Sequence, residues 1–308
     1  MDISIIISNY APKGKLVAAI DHALAQDAAA GDYEVIFPLH GAITEADLEQ
    51  LRGRAARTGQ LRLLTGDGRN RAGALNDAVR SAASERLVFL ESHVLAPPDL
   101  AAHYRRILLS PEVAAVQGAF AAVANTNWVS EVESSLRALS GARRRARGLP
   151  TDEFHLHSAG FQRGALLAAG GFDEHLPGVA EVPLLQRIQD SGGTIAWLRT
   201  PAVDHINHSD FRGIVRALRG RGREVGLLWR LDPGVASRTF PTVALERHGA
   251  LVRRAHGPLW VAGAANLSLA FVILAISRAF LPRWFTLAAA ALVTASAIRA
   301  GVLEGYCH

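Results

Sequence analysis

Strand and helix patterns alternate through the first 230 residues, and this alternation constrains the fold more than any other feature. It opens with a continuous apolar run at residues 3–8, ISIIIS, which is typical of a strand buried on both faces. Further strands are predicted at 33–37, 61–64, 86–91 and 113–120, with helices at 15–29, 45–57, 71–83 and 97–109. This β-α-β-α order predicts an α/β fold, a mostly parallel sheet with helices on both faces.

The pattern changes from about residue 151. Residues 154–174 show loop, short-helix and Gly-Gly turn patterns, followed by a predicted helix at 180–190 and strands at 194–198 and 202–206. A strongly basic helix is predicted at 211–229, and prolines mark the segment after it. We therefore predict one domain over residues 1–230, a linker over 231–257 and a membrane segment over 258–303.

The membrane segment is predicted from two apolar runs. Residues 259–276 contain 18 residues without a charge, and as a helix they would be about 27 Å long, close to the hydrocarbon thickness of a bilayer. Residues 285–298 form a shorter run, and Trp260 and Trp284 lie near the ends of the two runs, as in membrane-interface belts. One membrane helix or a helical hairpin is expected, with the preceding domain in the cytoplasm. Two buried helices of a soluble domain are the alternative.

Chemistry is expected where strands end, because ligands of open α/β sheets bind beyond the carboxyl ends of the strands. Glu91 and His93 follow a predicted strand one residue apart, a spacing that lets both side chains reach one cation. The alternative is a solvated acid and a solvated loop histidine. His205 follows a later strand, and Glu181, near the start of a helix, is either a general base or a partner of the helix dipole.

Five segments together resemble glycosyltransferase family 2, of the inverting, metal-assisted and membrane-anchored bacterial type with the GT-A fold. The segments are ISIIISNY (3–10), GRNRAGALNDAVRSA (68–82), RLVFLESH (86–93), FQRGALLAAGGFDE (161–174) and AEVPLLQRIQDSGG (180–193). They are similar, in that order, to the family's opening strand, its N-x-G-x-x-x-A-R-N-x-G segment, its strand-D-x-D, its F-R-R-x-x-x-x-x-G-G-F-D-E segment and its E-D-x-x-L-x-x-R segment. The order and spacing of all five agree with the family, which is a stronger signal than any one motif.

The resemblance implies a role for each matching residue. It implies a nucleotide-sugar donor, bound by Ser8, Asn9, Tyr10, Arg71, Gly73 and Asn76. It implies a divalent cation, Mn²⁺ or Mg²⁺, held by Glu91, His93 and His205. It also implies that Glu181 is the general base, and that the donor-sugar or acceptor loop contains Gly171, Phe172, Asp173 and Arg187.

Three departures from the family pattern bear on function. Residues 38–42, PLHGA, carry no acid where the family has D-D-G-S, and Ala180 replaces the first acid of the E-D pair. The Q-x-x-R-W motif of processive synthases is missing from residues 216–229. We therefore expect transfer of a single sugar to a lipid-linked or cell-envelope glycan acceptor, at the inner membrane. The alternative is a non-catalytic relative that serves as a subunit of an envelope polysaccharide assembly complex.

Charge and cysteine content exclude other classes of function. The chain has 33 Lys+Arg against 28 Asp+Glu, and its one cysteine, Cys307, excludes an intrachain disulfide and a Cys-based zinc cluster. A basic run holds the arginines at 212, 216, 219, 221 and 223. The run lacks the interleaved aromatic residues and motifs of nucleic-acid readers. Its expected partner is anionic lipid or an acceptor diphosphate, with a solvated helix face as the alternative.

Overall fold

The structure is a computed structural model that describes residues 1–9, 14–29, 31–66, 70–122, 127, 129–131, 133–134, 154–176 and 180–239. Contacts divide the chain into two units, Met1–Val123 with Phe154–Ile206, and Ala124–Glu153 with Asn207–His308. Tyr10, residues 240–257 of the predicted linker and the predicted membrane segment lie outside the described residues. Within the described ranges, no helix is long and apolar enough to cross a membrane. The domain boundaries read from the sequence therefore stay a prediction.

The first unit is built around one sheet. Its strands are β1 (Ile3–Ser8), β2 (Tyr33–Leu39), β3 (Leu61–Thr65), β4 (Arg86–Glu91), β5 (Val94–Leu95), β6 (Val113–Ala122), β7 (Ser158–Gln162) and β8 (Thr194–His205). Its described helices are α1 (Leu16–Leu24), α2 (Glu45–Thr58), α3 (Arg71–Ser81), α4 (Leu100–Leu108), α5 (Arg163–Ala168) and α6 (Glu181–Asp190). The predicted alternation of strands and helices up to β4 is confirmed, with Thr44 as the N-cap of α2.

The sheet is mixed: six of its eight strands run in one direction, as the prediction of a mostly parallel sheet requires, and β5 and β7 run the opposite way. Its strand order is β3-β2-β1-β4-β7-β6-β8-β5. The first four strands of that order are parallel, and so is the β6–β8 pair. β7 is antiparallel to both β4 and β6, and β5 is antiparallel to β8. The prediction was wrong at β7, because its residues 158–162 were taken as part of a loop and helix region.

Helices cover both faces of the sheet, as predicted. The period of two along β1 separates its side chains. Ile5 and Ile7 lie in one core with Ile20 of α1, whereas Ser8, on the opposite face, contacts Arg71 of α3. Because both faces of β1 are covered, all six of its residues are buried.

Tyr104 of α4 packs closely against β6 and β7 near the middle of the sheet. The ring is fully buried, and its hydroxyl is 2.9 Å from Ser158 Oγ of β7. A Cβ at Gly118 would lie 2.2 Å from the Tyr104 hydroxyl, and a Cβ at Gly160 would lie 2.6 Å from the ring. Burial raises the pKa of Tyr104. The glycines of β6 and β7 are therefore required by the close approach of a neutral phenol.

One further prediction is corrected in the later part of the chain. The runs 194–198 and 202–206, predicted as two strands, form the single strand β8, with a register shift against β6 between Gly118 and Phe120. In the second unit, α7 (Phe211–Leu231) agrees with the predicted basic helix, and α8 (Pro233–Thr239) lies where a linker was predicted.

α7 separates its apolar and basic side chains onto two faces. Its buried apolar residues include Ile214, Val225, Leu228 and Trp229. Taken at about 100° per residue, five of its arginines fall within about 60° of arc on the other side. This arginine face consists of Arg212, Arg216, Arg219, Arg223 and Arg230. All but Arg219 are exposed, and Arg219 is half-buried. The helix therefore presents one continuous cationic stripe.

Candidate active site

Polar residues from distant parts of the chain meet at one edge of the sheet. β1, β2, β4, β6 and β8 all run in the same direction, so their carboxyl ends share this edge. β7 runs the opposite way and begins there, and its pairing of Ser158 with Leu90 places residue 157 across from Glu91. The predicted residues Ser8, Glu91 and His205 are thus brought to the same edge.

Arg71 lies between two buried carboxylates. Its Nε donates to Ser8 Oγ at 2.8 Å, and its Nη2 donates to Glu91 Oε1 at 3.0 Å. Its Nη1 is 3.8 Å from Glu181 Oε2, within ion-pair distance but beyond a hydrogen bond. Glu91 and Glu181 are each only 3% exposed. The guanidinium therefore ties the end of β4 to the start of α6.

Glu181 is the first residue of α6, and its position suits both roles considered from the sequence. A carboxylate at a helix N-terminus is stabilised by the helix dipole. The same carboxylate belongs to the Arg71–Glu91 network. This network lies at the carboxyl ends of the strands, where ligands of open α/β sheets bind and a general base could act on them. The dipole and the base role are therefore compatible at this residue.

Three histidines form a compact cluster beside Glu91. His93 follows β4, His157 precedes β7 and His205 ends β8; one ring nitrogen from each lies within 4.8 Å of the others. The Nε2 atoms of His93 and His205 are 3.1 Å apart. Glu91 Oε2 is 3.5 Å from His93 Nε2 and 3.3 Å from His157 Nε2. We refer to His93, His157 and His205 as the histidine cluster.

The donor atoms of this cluster fit a divalent metal ion. Ligands about 2.1 Å from a metal lie about 3.0–3.4 Å from each other in octahedral or tetrahedral arrangements. The three separations just given fall at or within about 0.1 Å of that range. Imidazole suits Zn²⁺ and Fe²⁺, carboxylate suits Mn²⁺, and Mg²⁺ prefers a shell made of oxygen ligands alone. His93 therefore lies close enough to both Glu91 and His205 for the predicted ligand pairs, and the three imidazoles together could hold a metal ion.

Sequence reasoning missed His157. Its signal was the His-x-His pattern at 155–157, which comes directly before a strand that was not recognised. The ring of Phe120 stacks against His157 at a centroid distance of 5.7 Å and an interplanar angle of 27°. The imidazole is thus held in a defined orientation.

Asn9 shapes the turn that follows β2. Its Nδ2 donates to the carbonyls of His40 at 3.0 Å and of Ala42 at 3.2 Å, and its backbone N–H donates to His40 Nε2 at 3.2 Å. Burial and the positive charge of Arg71 lower the pKa of His40 to about 4. A neutral imidazole, rather than the family's acid, therefore stands at the end of β2.

Asn76, Gly171, Phe172 and Arg187 form a hydrogen-bonded frame. Asn76 of α3 donates to the Phe172 carbonyl and accepts from the Phe172 N–H, both at 2.9 Å. Gly171 has φ +72°, and a Cβ there would lie 2.7 Å from Asn76 Oδ1. Arg187 of α6 donates to the carbonyls of Ala169 at 2.6 Å and Gly171 at 2.7 Å. These bonds join α3 and α6, and so position Glu181.

The two other predicted residues make local backbone contacts. The Gly73 N–H donates to Asn70 Oδ1, the N-cap of α3, at 3.2 Å. Asp173 Oδ1 accepts from the His175 N–H at 2.9 Å. Both contacts stabilise chain turns that flank the frame.

Comparison with known protein families and structures is consistent with this geometry. The model of the family described as "Glycosyl transferase family 2" matches residues 4–168, more than half of the chain. A search of curated proteins finds no significant match.

Solved structures share the fold at low sequence identity. Mannosyltransferase PcManGT from Pyrobaculum calidifontis, in complex with GDP-Man and Mn²⁺, aligns with TM-score 0.60 and 21% identity over 97% of this chain and 86% of that chain. S. aureus TarS 1–349 aligns with TM-score 0.53 and 12% identity over 95% of this chain and 90% of that chain. The same protein in complex with UDP gives TM-score 0.52 and 10% identity, over 99% and 90%. The shared fold is the GT-A type of mixed α/β sheet.

Proposed function

The chain belongs to glycosyltransferase family 2 and is a glycosyltransferase, and we propose that it transfers one sugar from a nucleotide-sugar to a hydroxyl group, with inversion at the anomeric carbon. The observation that carries this proposal is the convergence of Arg71 with Glu91 and Glu181, at 3.0 and 3.8 Å, beside the histidine cluster. A base, a cationic group for phosphate and a set of metal ligands are the parts that this chemistry needs.

Glu181 acts as the base in this mechanism. The acceptor hydroxyl oxygen attacks the anomeric carbon while the bond from that carbon to the diphosphate oxygen breaks. The hydroxyl proton passes to the Glu181 carboxylate, and the nucleoside diphosphate leaves with the bonding electron pair. Positioned base catalysis of this kind contributes about 10²–10⁴-fold to a rate.

Arg71 is positioned to meet the leaving group. A guanidinium binds phosphate oxygens through paired N–H donors, and Arg71 is held in place by Ser8 and Glu91. A divalent cation held by Glu91, His93 and His205 would offset the charge that develops on the diphosphate.

The donor class is proposed to be a nucleoside diphosphate sugar. The similar structures described above contain GDP-Man with Mn²⁺ in one case and UDP in the other, and both nucleotides are diphosphates. The nucleobase of the donor is left open, because His40 replaces the acid that the family places after β2.

Substitution of Glu181 by glutamine tests the mechanism. Glu181→Gln keeps the size of the side chain but removes the proton acceptor. We expect the folded variant to bind nucleotide as the wild type does and to lose transfer by about 10²–10⁴-fold. Glu49→Gln, at an exposed site on α2, is the control and should retain full activity. Turnover retained in Glu181→Gln would remove that residue from the base role.

The acceptor is proposed to be lipid-linked or a cell-envelope glycan, at the cytoplasmic side of the inner membrane. The arginine face of α7 supports this proposal, because each arginine near an anionic bilayer surface contributes about 1 kcal/mol of attraction. The apolar runs at 259–276 and 285–298 support it from the sequence. A lipid-linked acceptor would reach the enzyme at such a surface.

Assays with full-length enzyme in anionic mixed micelles test the acceptor. We expect mass spectrometry to detect one added sugar per lipid-linked acceptor. Replacing Arg212 and Arg216 by glutamine should raise the apparent KM for that acceptor by about 5–30-fold at low salt, from about 1 kcal/mol for each charge, with kcat unchanged. The matched double variant Arg52→Gln/Arg57→Gln in α2 should leave KM unchanged. Equal effects of the two double variants, or transfer only to soluble sugars, would contradict the proposal.

A further inference from the structure

The histidine cluster contains one more candidate ligand than the sequence predicted. His157 Nε2 lies 3.3 Å from Glu91 Oε2, the same carboxylate oxygen that lies 3.5 Å from His93 Nε2. The three imidazoles each offer a nitrogen within 4.8 Å of the other two. Three imidazoles therefore offer donor nitrogens to one small volume, and the Glu91 carboxylate borders two of them.

Rigid elements hold these four side chains. Glu91 ends β4, His205 ends β8, and the N–H of Ile206 donates to the carbonyl of His93 at 3.0 Å. His93 and His205 are at most 2% exposed. A set of ligands fixed before binding requires little ordering when a metal ion arrives, which favours affinity.

Ring packing holds the three imidazoles against one another. His93 packs edge-on against both His157 and His205, with centroids 5.3 and 4.8 Å apart. Phe120 lies against His157 on one side and against His205 on another, at 5.7 and 5.8 Å. Phe120 cannot hydrogen-bond to the rings, so it closes part of the cluster with an apolar wall. Such a wall around a metal site limits water access.

We propose that His157 is a fourth metal ligand, and that Glu91, His93, His157 and His205 form a centre that selects transition metals against Mg²⁺. Three imidazoles favour Zn²⁺ and the other later first-row metals, and the Glu91 carboxylate is a ligand that also suits Mn²⁺. Mg²⁺ requires oxygen ligands and gives up its water reluctantly. The proposal deepens the proposed function, since the same centre would bind the cation that serves sugar transfer.

Metal titration of the full-length protein tests the centre without any assay of activity. The protein is purified in detergent with a tag that lacks histidine, treated with a chelator and titrated with Co²⁺. We expect one equivalent to bind and to give a visible ligand-field absorption band. Calorimetric titrations should give affinities that rise from Mg²⁺ through Mn²⁺ and Co²⁺ to Zn²⁺. Mg²⁺ binding as tight as Mn²⁺ binding would overturn the proposed selectivity.

Variants and spectroscopy test the part played by His157. His157→Gln should weaken Co²⁺ binding by at least about 10–100-fold, the loss typical of removing even an outer partner of a metal ligand. His103→Gln, at a surface position on α4, is the matched control and should bind as the wild type does. Pulsed electron paramagnetic resonance of the wild-type protein with Mn²⁺ should show coupling to three imidazole nitrogens. Unchanged affinity in His157→Gln, or coupling to two nitrogens only, would overturn the proposal.

The outcomes separate this inference from the proposed function. Sugar transfer by protein that binds no Co²⁺ in the titration would overturn the metal centre and leave the transferase reaction standing. Tight binding of Co²⁺ by protein that transfers no sugar from any nucleotide donor would support the metal centre and contradict the proposed transferase reaction.

Discussion

Replacing Arg71 by methionine is expected to destabilise the first unit through its buried carboxylates. The substitution keeps an unbranched side chain but removes the guanidinium that lies 3.0 Å from Glu91 and 3.8 Å from Glu181. Both carboxylates are 3% exposed, so they would lose compensation without gaining water. Breaking a buried ion pair in this way costs about 3–5 kcal/mol. We expect metal-free Arg71→Met to lose about 3 kcal/mol of unfolding free energy.

Thermal unfolding measures this loss. In a unit of this size each kcal/mol lowers Tm by about 2–4 °C, so Tm should fall by about 6–12 °C. Arg80→Met is the control on the same helix: the Arg80 side chain is 53% exposed and pairs with Asp77 at the surface, where ion pairs contribute at most about 1 kcal/mol.

A double-mutant cycle identifies the cause. If the loss comes from the buried charge of Glu91, Arg71→Met should cost less in a Glu91→Gln background, with a coupling of about 0.5–3 kcal/mol. The reasoning would be refuted if Arg71→Met cost no more than Arg80→Met. It would also be refuted if the two substitutions added to within about 0.5 kcal/mol.

Two further predictions concern stability. His40 has a pKa near 4 when folded and 6.5 ordinarily, so the unfolded chain binds its proton first and stability falls as pH drops from 6.5 to 4, by up to about 3 kcal/mol. Urea unfolding across this window should show a flatter pH dependence in His40→Gln, and an unchanged slope would contradict the assignment. Gly160→Ala should cost about 1–3 kcal/mol by overpacking against Tyr104. Gly164→Ala, in α5 with nothing within 4 Å of its Cβ, should gain about 0.5–1 kcal/mol; equal stabilities would contradict the packing argument.

The parallel half of the sheet was predictable because its signals are local. Runs such as residues 3–8 are rich in isoleucine and are buried on both faces, and the helices between them begin at recognisable caps such as Thr44. The carboxyl-edge rule then selected Ser8 and Glu91 as residues to inspect without knowledge of any contact, and the family resemblance added His205. These parts of the fold are determined by residues that are close together in the sequence, so a single sequence is enough to predict them.

The antiparallel strand β7 was missed because its environment is non-local. SAGFQ lacks a β-branched run, and its small residues are required by the packing of Tyr104 from α4. The antiparallel pairing of β7 with β4 also places His157 opposite Glu91. Glu91 lies 66 positions earlier in the chain. β8 was divided in two because Pro201 interrupts its pattern, although β6 pairs along both of its halves.

The frame around Asn76 adds contacts that the sequence does not show. The resemblance implied roles in donor or acceptor binding for Asn76, Gly171, Phe172 and Arg187, and the structure places all four in contacts that join α3 to α6. A sequence motif identifies residues that occur together, whereas the structure shows the hydrogen bonds that each of them makes.

Nucleotide-dependent stabilisation of the full-length protein tests the central claim most directly. Thermal unfolding would be followed with UDP-, GDP-, dTDP- and CMP-sugars, each with and without Mn²⁺. A ligand at 100 times its Kd adds about 2.7 kcal/mol to stability, which is readily measured. The account predicts stabilisation by one nucleotide class, only with metal, and loss of that effect in His93→Ala. No stabilisation by any of these donors, in protein shown to be folded, would contradict a donor site and favour a non-catalytic relative.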